Sequence, residues 1–152
     1  MKHMDTKEYL DTVCGLLAEE RELIPVPVAG SSMVPFLFPG DMVYLSKPGG
    51  PLKRGDVVLY SRPGGQYVLH RIARIREDGS LVMLGDAQTK RELLDSSCRV
   101  HARAEQVRRR GKILTPRSMC WRFFTGLWLW LRPVRHPVLE AVEWLRRRVK
   151  RK

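Results

Sequence analysis

Apolar residues recur along this chain with two different periods. Between residues 5 and 22, Leu10, Val13, Leu16 and Leu17 return at intervals of three and four, which predicts an amphipathic helix. Asp5 followed by Glu8 fits a capping box at its start. Charged residues interrupt the stretch, so it does not read as a spanning segment or as a secretory leader. Beyond it the period shortens to two. Runs of apolar and β-branched residues bounded by Gly, Pro and Asp predict short strands at residues 41–45, 56–60, 66–76, 81–84, 99–107 and 112–114. Two of them are entered through Gly-Asp turns, at Asp41 and Asp56, and residues 47–51 and 62–65 are loops. In the strand over residues 66–76, Val68, His70 and Ile72 share one face, and Leu69, Arg71 and Ala73 share the other.

The pattern changes again near residue 116. Residues 119–131, MCWRFFTGLWLWL, are apolar and aromatic around Arg122. This run is shorter than the roughly 20 apolar residues that cross a bilayer. Pro133 and Pro137 break the chain, and Val138, Leu139, Val142, Leu145 and Val149 then recur on one helical face beside Trp144. The expectation is a mainly β body with an amphipathic N-terminal helix and a basic helical C-terminal segment, divided as residues 1–24, 25–115 and 116–152. A length of 152 residues with 43% apolar residues fits one globular unit with a modest core. Ten Pro and twelve Gly suit a fold of many turns.

Charge sharpens that division. Residues 1–100 carry 13 basic and 13 acidic side chains, and residues 101–152 carry 15 and 3. The formal net charge of +12 therefore belongs to the last third. Trp121, Trp128, Trp130 and Trp144 lie among these cations, a composition suited to an anionic membrane surface, reached through residues 119–152. The competing reading packs the helices on the β body and leaves a solvated basic tail. No nucleic-acid-binding module surrounds the basic residues, so that partner class is not expected. The expected location is peripheral to a membrane or cytoplasmic. Cys14, Cys98 and Cys120 form neither a CxxC pair nor an even disulfide set, and no metal site is read from them.

The candidate chemistry is concentrated in a few segments. Gly30-Ser31-Ser32-Met33-Val34-Pro35 follows the proline-broken stretch Ile24-Pro25-Val26-Pro27-Val28-Ala29, and Asp41 follows in PFLFPGD. RGDVVLY runs from Arg54, VLHRI from Val68, and LGD from Leu84 to Asp86. In this order the segments resemble the signal peptidase I clan, which includes the self-cleaving repressor peptidases. Its nucleophile box reads Gly-x-Ser-Met-x-Pro, followed by a Gly-Asp-Val-Val strand, a strand bearing the general base, and a Gly-Asp-Asn-Asn box. The resemblance covers about residues 27–107. It implies that Ser32 is the nucleophile and His70 the base, as in the His-type enzymes of the endoplasmic reticulum, archaea and many Gram-positive bacteria, and that no metal or cofactor takes part.

A serine hydroxyl needs a neighbouring base to become a useful nucleophile. An imidazole with a pKa near 6.5 suits that task, and predicts activity rising with pH through roughly 6 to 7. A histidine between two β-branched neighbours also fits a plain core position. Asp86 is the candidate acid that orients His70 or braces the site. Its box continues Ala87-Gln88-Thr89-Lys90 instead of Asn-Asn, which leaves Glu92 and Asp95 as alternatives. The Ser32 amide is the natural oxyanion donor, with Ser31 adding a hydroxyl or forming the turn. Gly30 lets a substrate backbone approach, Met33 lines a pocket, and Pro35 fixes the chain after the nucleophile. His3, His101 and His136 neighbour no motif and are read as structural or solvated.

The resemblance implies a serine endopeptidase acting on a leader or signal segment, after small side chains. A non-catalytic relative that binds peptides, or anchors a partner at a membrane, is the alternative. A self-cleaving repressor would pair Ser with Lys and carry a DNA-binding domain, for which the 29 residues before Gly30 are expected to be too few.

Overall fold

The computed structural model describes residues 6–19, 23–95, 98–131, 137, 140, 141 and 144. The period-two region forms one eight-stranded sheet in which every pair is antiparallel. Its strands are β1 (Ile24–Pro27), β2 (Met42–Ser46), β3 (Val57–Ser61), β4 (Tyr67–Ile75), β5 (Leu81–Leu84), β6 (Glu92–Leu94), β7 (Arg99–Arg109) and β8 (Lys112–Leu114). They lie in the order β1-β2-β7-β3-β4-β5-β6, with β8 beside β7. The fold is thus mainly β, as the alternation predicts.

Strands β1 and β6 are additions to the sequence reading. Pro25 and Pro27 argue against a strand in mid-sheet because proline cannot donate to a ladder. They are tolerated in β1 because it is an edge strand, paired only with β2. Strand β6 is a three-residue edge at the opposite end, with no β-branched residue to mark it.

Alternation along the strands feeds two hydrophobic clusters. The larger holds Val43, Leu45, Val57, Leu59, Ala102, Ala104 and Val107 from the sheet, with Met33, Phe36 and Leu37 from the loop after β1. The smaller holds Val58, Tyr60, Ile72, Met83 and Leu94, with Val68 packed against it. Helix α1 (Thr6–Glu19) covers the larger cluster with Val13 and Leu17. Leu16, expected on the same stripe, stands on the open side at 44% exposure. Asp5 of the expected capping box lies outside the described residues.

Helices α2 (Met119–Thr125) and α3 (Leu127–Trp130) close the same cluster. Trp121, Phe124 and Trp128 are buried in it, and Phe36 meets Trp121 edge-on with ring centroids 5.1 Å apart. Truncating an aromatic of this kind to Ala costs about 3–5 kcal/mol. Gly55, at φ +96°, makes this docking close. A Cβ there would lie 3.0 Å from the Thr125 Cβ, tighter than ordinary van der Waals contact. The inner face of residues 119–131 therefore belongs to the body. Of the four tryptophans read as one membrane-facing set, Trp121 and Trp128 point inward because the sheet needs a cover there; Trp130 and Trp144 are exposed. The helix expected over residues 138–149 falls mostly outside the described residues. Among the described residues, no helix is long and apolar enough to cross a membrane.

Candidate active site

The segment carrying Ser32 is a run of tight turns held from below. Val34 N donates to Ser31 O (3.1 Å) and Leu37 N to Met33 O (2.8 Å). Met33, Phe36 and Leu37 are buried anchors, while Ser31 is exposed and Ser32 half-buried. The Leu84-Gly85-Asp86 turn supports this segment directly. Ala87 N donates to Ser32 O (2.8 Å), and a Cβ on Gly85 would come within 2.6 Å of the same oxygen. Only glycine lets the two backbones approach so closely. The two sequence boxes are thus one structural unit, joined at the Ser32 carbonyl.

Ser32 and His70 line the same cavity, of about 560 Å³. Its walls are mostly apolar: Val26 and Val28 from the edge strand and its extension, Leu45, Leu59 and Leu69 from the sheet, and Tyr9 and Leu10 from α1. Gly30 and Met33 line it too, whereas Ser31, Pro35 and Asp86 do not. Among the described residues, the Ser32 N–H makes no hydrogen bond, so it is available as the oxyanion donor named above. An apolar cleft with few convergent polar groups suits an extended peptide with apolar side chains.

His70 sits in mid-strand on β4, opposite Val58 of β3, and is only 3% exposed. Its Nδ1 lies 3.3 Å from Tyr60 Oη. Tyr60 Oη donates to Glu92 Oε2 (2.7 Å). Glu92 is gripped by Arg62, with Nε to Oε1 and Nη2 to Oε2 both at 2.6 Å. Burial pushes the His70 pKa down from its ordinary 6.5 to about 4; the Glu92 carboxylate opposes this and the Arg62 cation adds to it. His70 is therefore neutral at physiological pH and able to accept a proton. The activity rise expected through pH 6–7 moves to lower pH for this physical reason.

Asp86 occupies the other side of β4. It is fully buried, and its carboxylate takes Arg71 Nε (3.0 Å to Oδ1) and Nη2 (2.7 Å to Oδ2). Arg71 also donates to Gly55 O (2.8 Å), and its guanidinium lies 4.6 Å from the Phe36 ring centroid. Trp128 Nε1 donates to the Asp86 backbone carbonyl (3.2 Å). Among the described residues, Asp86 makes no hydrogen bond to His70. Consecutive residues of a strand point to opposite faces, and Asp86 meets Arg71 rather than His70. Of the three candidate acids, Glu92 is the one that reaches the histidine, through Tyr60. Asp95 is exposed and its backbone closes a turn with Cys98 N.

The other Gly-Asp dipeptides are turn chemistry. Asp41 Oδ2 accepts from Phe38 N and Asp56 Oδ2 from Lys53 N, both at 2.9 Å. His101 Nε2 is 2.9 Å from Ser61 Oγ, away from the cavity lining. His3 and His136 lie outside the described residues. The three cysteines are unpaired with one another.

Tyr60 and Arg62 were not singled out from the sequence. A signal for them exists in the hairpin between β3 and β4. With Ser61 opposite Tyr67, Tyr60 faces Val68 and stands diagonal to His70 on the same face.

The family profile described as Peptidase S24-like matches residues 2–104. That span includes α1, the Ser32 turn, His70 and the Asp86 turn. No curated protein matches the chain significantly.

Proposed function

Because the chain belongs to the Peptidase S24-like family, we propose that it is a serine endopeptidase of the His-type, cleaving a leader or signal segment after small side chains. Membership is consistent with a serine or self-cleaving peptidase. The observation that carries the reading is the shared cavity of Ser32 and His70, with His70 held neutral. Ser32 Oγ attacks the scissile carbonyl while His70 takes its proton. The Ser32 N–H receives the charge that develops on the carbonyl oxygen. His70 then gives its proton to the leaving amine, and water hydrolyses the acyl-enzyme by the same route.

The test incubates full-length protein with a pooled library of short peptides carrying small residues at varied positions, and reads new termini by mass spectrometry. Wild type should generate them and Ser32→Ala should slow their appearance by about 10³-fold or more. Cleavage that persists in Ser32→Ala removes Ser32 from the chemistry. A wild type that binds peptides in the cavity without cutting any supports the non-catalytic alternative. New termini arising only within the chain itself point to self-cleavage.

We also propose that the chain works at an anionic membrane surface. Met119, Phe123, Leu127 and Trp130 are exposed on α2 and α3, at 86%, 39%, 49% and 76%. They stand beside exposed Arg117 and Arg122, in the part of the sequence that holds the whole net charge. Each cation near such a surface contributes on the order of 1 kcal/mol, screened by salt. Full-length protein should sediment with vesicles containing phosphatidylserine better than with neutral ones. Met119→Glu combined with Trp130→Glu should weaken that binding by about a hundredfold or more, since burial of two side chains, each worth roughly 1.5–3 kcal/mol, is lost. Binding unchanged by both substitutions places the contact elsewhere.

A further inference from the structure

We infer that Tyr60, held by Glu92 and Arg62, acts as a positioning residue that fixes His70 as the Nδ1–H tautomer and leaves Nε2 as the proton acceptor. The inference rests on His70 being the general base. It follows from counting donors. Arg62 grips Glu92 with two N–H groups at 2.6 Å, and this pairing keeps Glu92 below the usual carboxylate range. Glu92 is therefore an ionised acceptor with no proton to give. The Tyr60 hydroxyl, 2.7 Å from Glu92 Oε2, must point its single proton there. Burial and Glu92 both raise the Tyr60 pKa, so the phenol stays protonated.

With its proton committed, the Tyr60 oxygen offers His70 only lone pairs. Nδ1, at 3.3 Å, satisfies that contact by donating. In a neutral imidazole the other nitrogen is then bare. When His70 accepts the Ser32 proton at Nε2, the new imidazolium still donates from Nδ1, and the Glu92 charge lies one phenol away. A carboxylate acting directly on the imidazole is thus replaced by one acting through a hydroxyl. The charged and titratable groups facing His70 are Tyr60 from β3, Arg62 just beyond it and Glu92 from β6. Asp86 is committed to Arg71 across the strand.

The experiment is ¹⁵N NMR of histidine-labelled full-length protein near pH 7, with signals assigned by a His70→Gln variant. The expected His70 signature is a pyrrole-type Nδ1 and a pyridine-type Nε2. The opposite pattern in wild type overturns the inference, whether or not any variant folds. Tyr60→Phe removes only a hydroxyl from a buried ring; it should shift the signature toward the Nε2–H form and lower kcat by roughly ten- to a hundredfold with KM little changed. A Tyr60→Phe protein that keeps the wild-type tautomer and kcat also overturns it. Peptide cleavage that survives Ser32→Ala is a different result: it removes the catalytic reading and leaves the tautomer assignment standing.

Discussion

His70 and Arg71 are neighbours on β4, yet the two faces of the strand treat them in opposite ways. Arg71 is a buried cation whose charge is met by Asp86, by the Gly55 carbonyl and by the Phe36 ring. Each of its three guanidinium nitrogens donates to one of these acceptors, so the charge is compensated where it lies. His70 is equally buried but kept neutral, with the nearest carboxylate one hydroxyl away. Full compensation makes a brace; partial compensation leaves a nitrogen free. The brace still serves the site, because the turn bearing Asp86 also holds Ser32 through Ala87 N and the close approach at Gly85.

The contrast can be broken most forcefully on the Asp86 side. Asp86→Asn leaves the Arg71 charge buried without its counter-ion, and losing one member of a buried pair costs about 3–5 kcal/mol. Urea unfolding should show that loss, while the protein that remains folded keeps its His70 tautomer. If Asp86→Asn is as stable as wild type, the pair is not the brace described. A smaller effect comes from pH. The unfolded chain binds a proton at His70 below about 6.5, whereas the native state resists until about 4. Between those values the unfolded state holds more protons, so stability falls as pH drops through the window and the penalty is complete below it. The shift from 6.5 to about 4 corresponds to about 3 kcal/mol. His70→Gln should lack this component. Matching slopes of stability against pH in the two proteins would show that His70 is not buried neutral.

Much of this molecule was legible before its fold. Apolar and β-branched runs bounded by Gly, Pro and Asp located β2, β3, β4, β5, β7 and β8, including β3, which is buried on both faces and shows no alternation in its burial. They missed β1, where prolines hide an edge strand, and β6, a three-residue edge, Glu-Leu-Leu, with no β-branched residue to mark it. Period-two alternation placed His70 on the Val68 and Ile72 side, which is where that residue stands. What a linear pattern could not show was the diagonal partner. Tyr60 acquires meaning only when the β3–β4 register sets it beside His70. For the same reason Asp86 drew attention that geometry gives to Glu92: both are carboxylates near one box, and only the sheet decides which one shares a face with the histidine. The aromatic stretch 119–131 was read for its composition, and its composition is right for two jobs at once. Trp121 and Trp128 fill the core while Met119 and Trp130 remain outside. A truncation before Met119 would also strip Trp121, Phe124 and Trp128 from the core, which is why surface substitutions are the cleaner probe of a membrane contact.

The proposed pairing of Ser32 with His70 is tested most directly by the pH dependence of kcat/KM for cleavage of one library peptide by full-length wild type, corrected for the folded fraction. A base with a pKa near 4 is already unprotonated above it, so kcat/KM should rise between about pH 3 and 5 and stay level through neutrality. A rate that instead keeps climbing through pH 8 and above, as for a lysine base, or that follows the same curve in His70→Gln, contradicts the assignment.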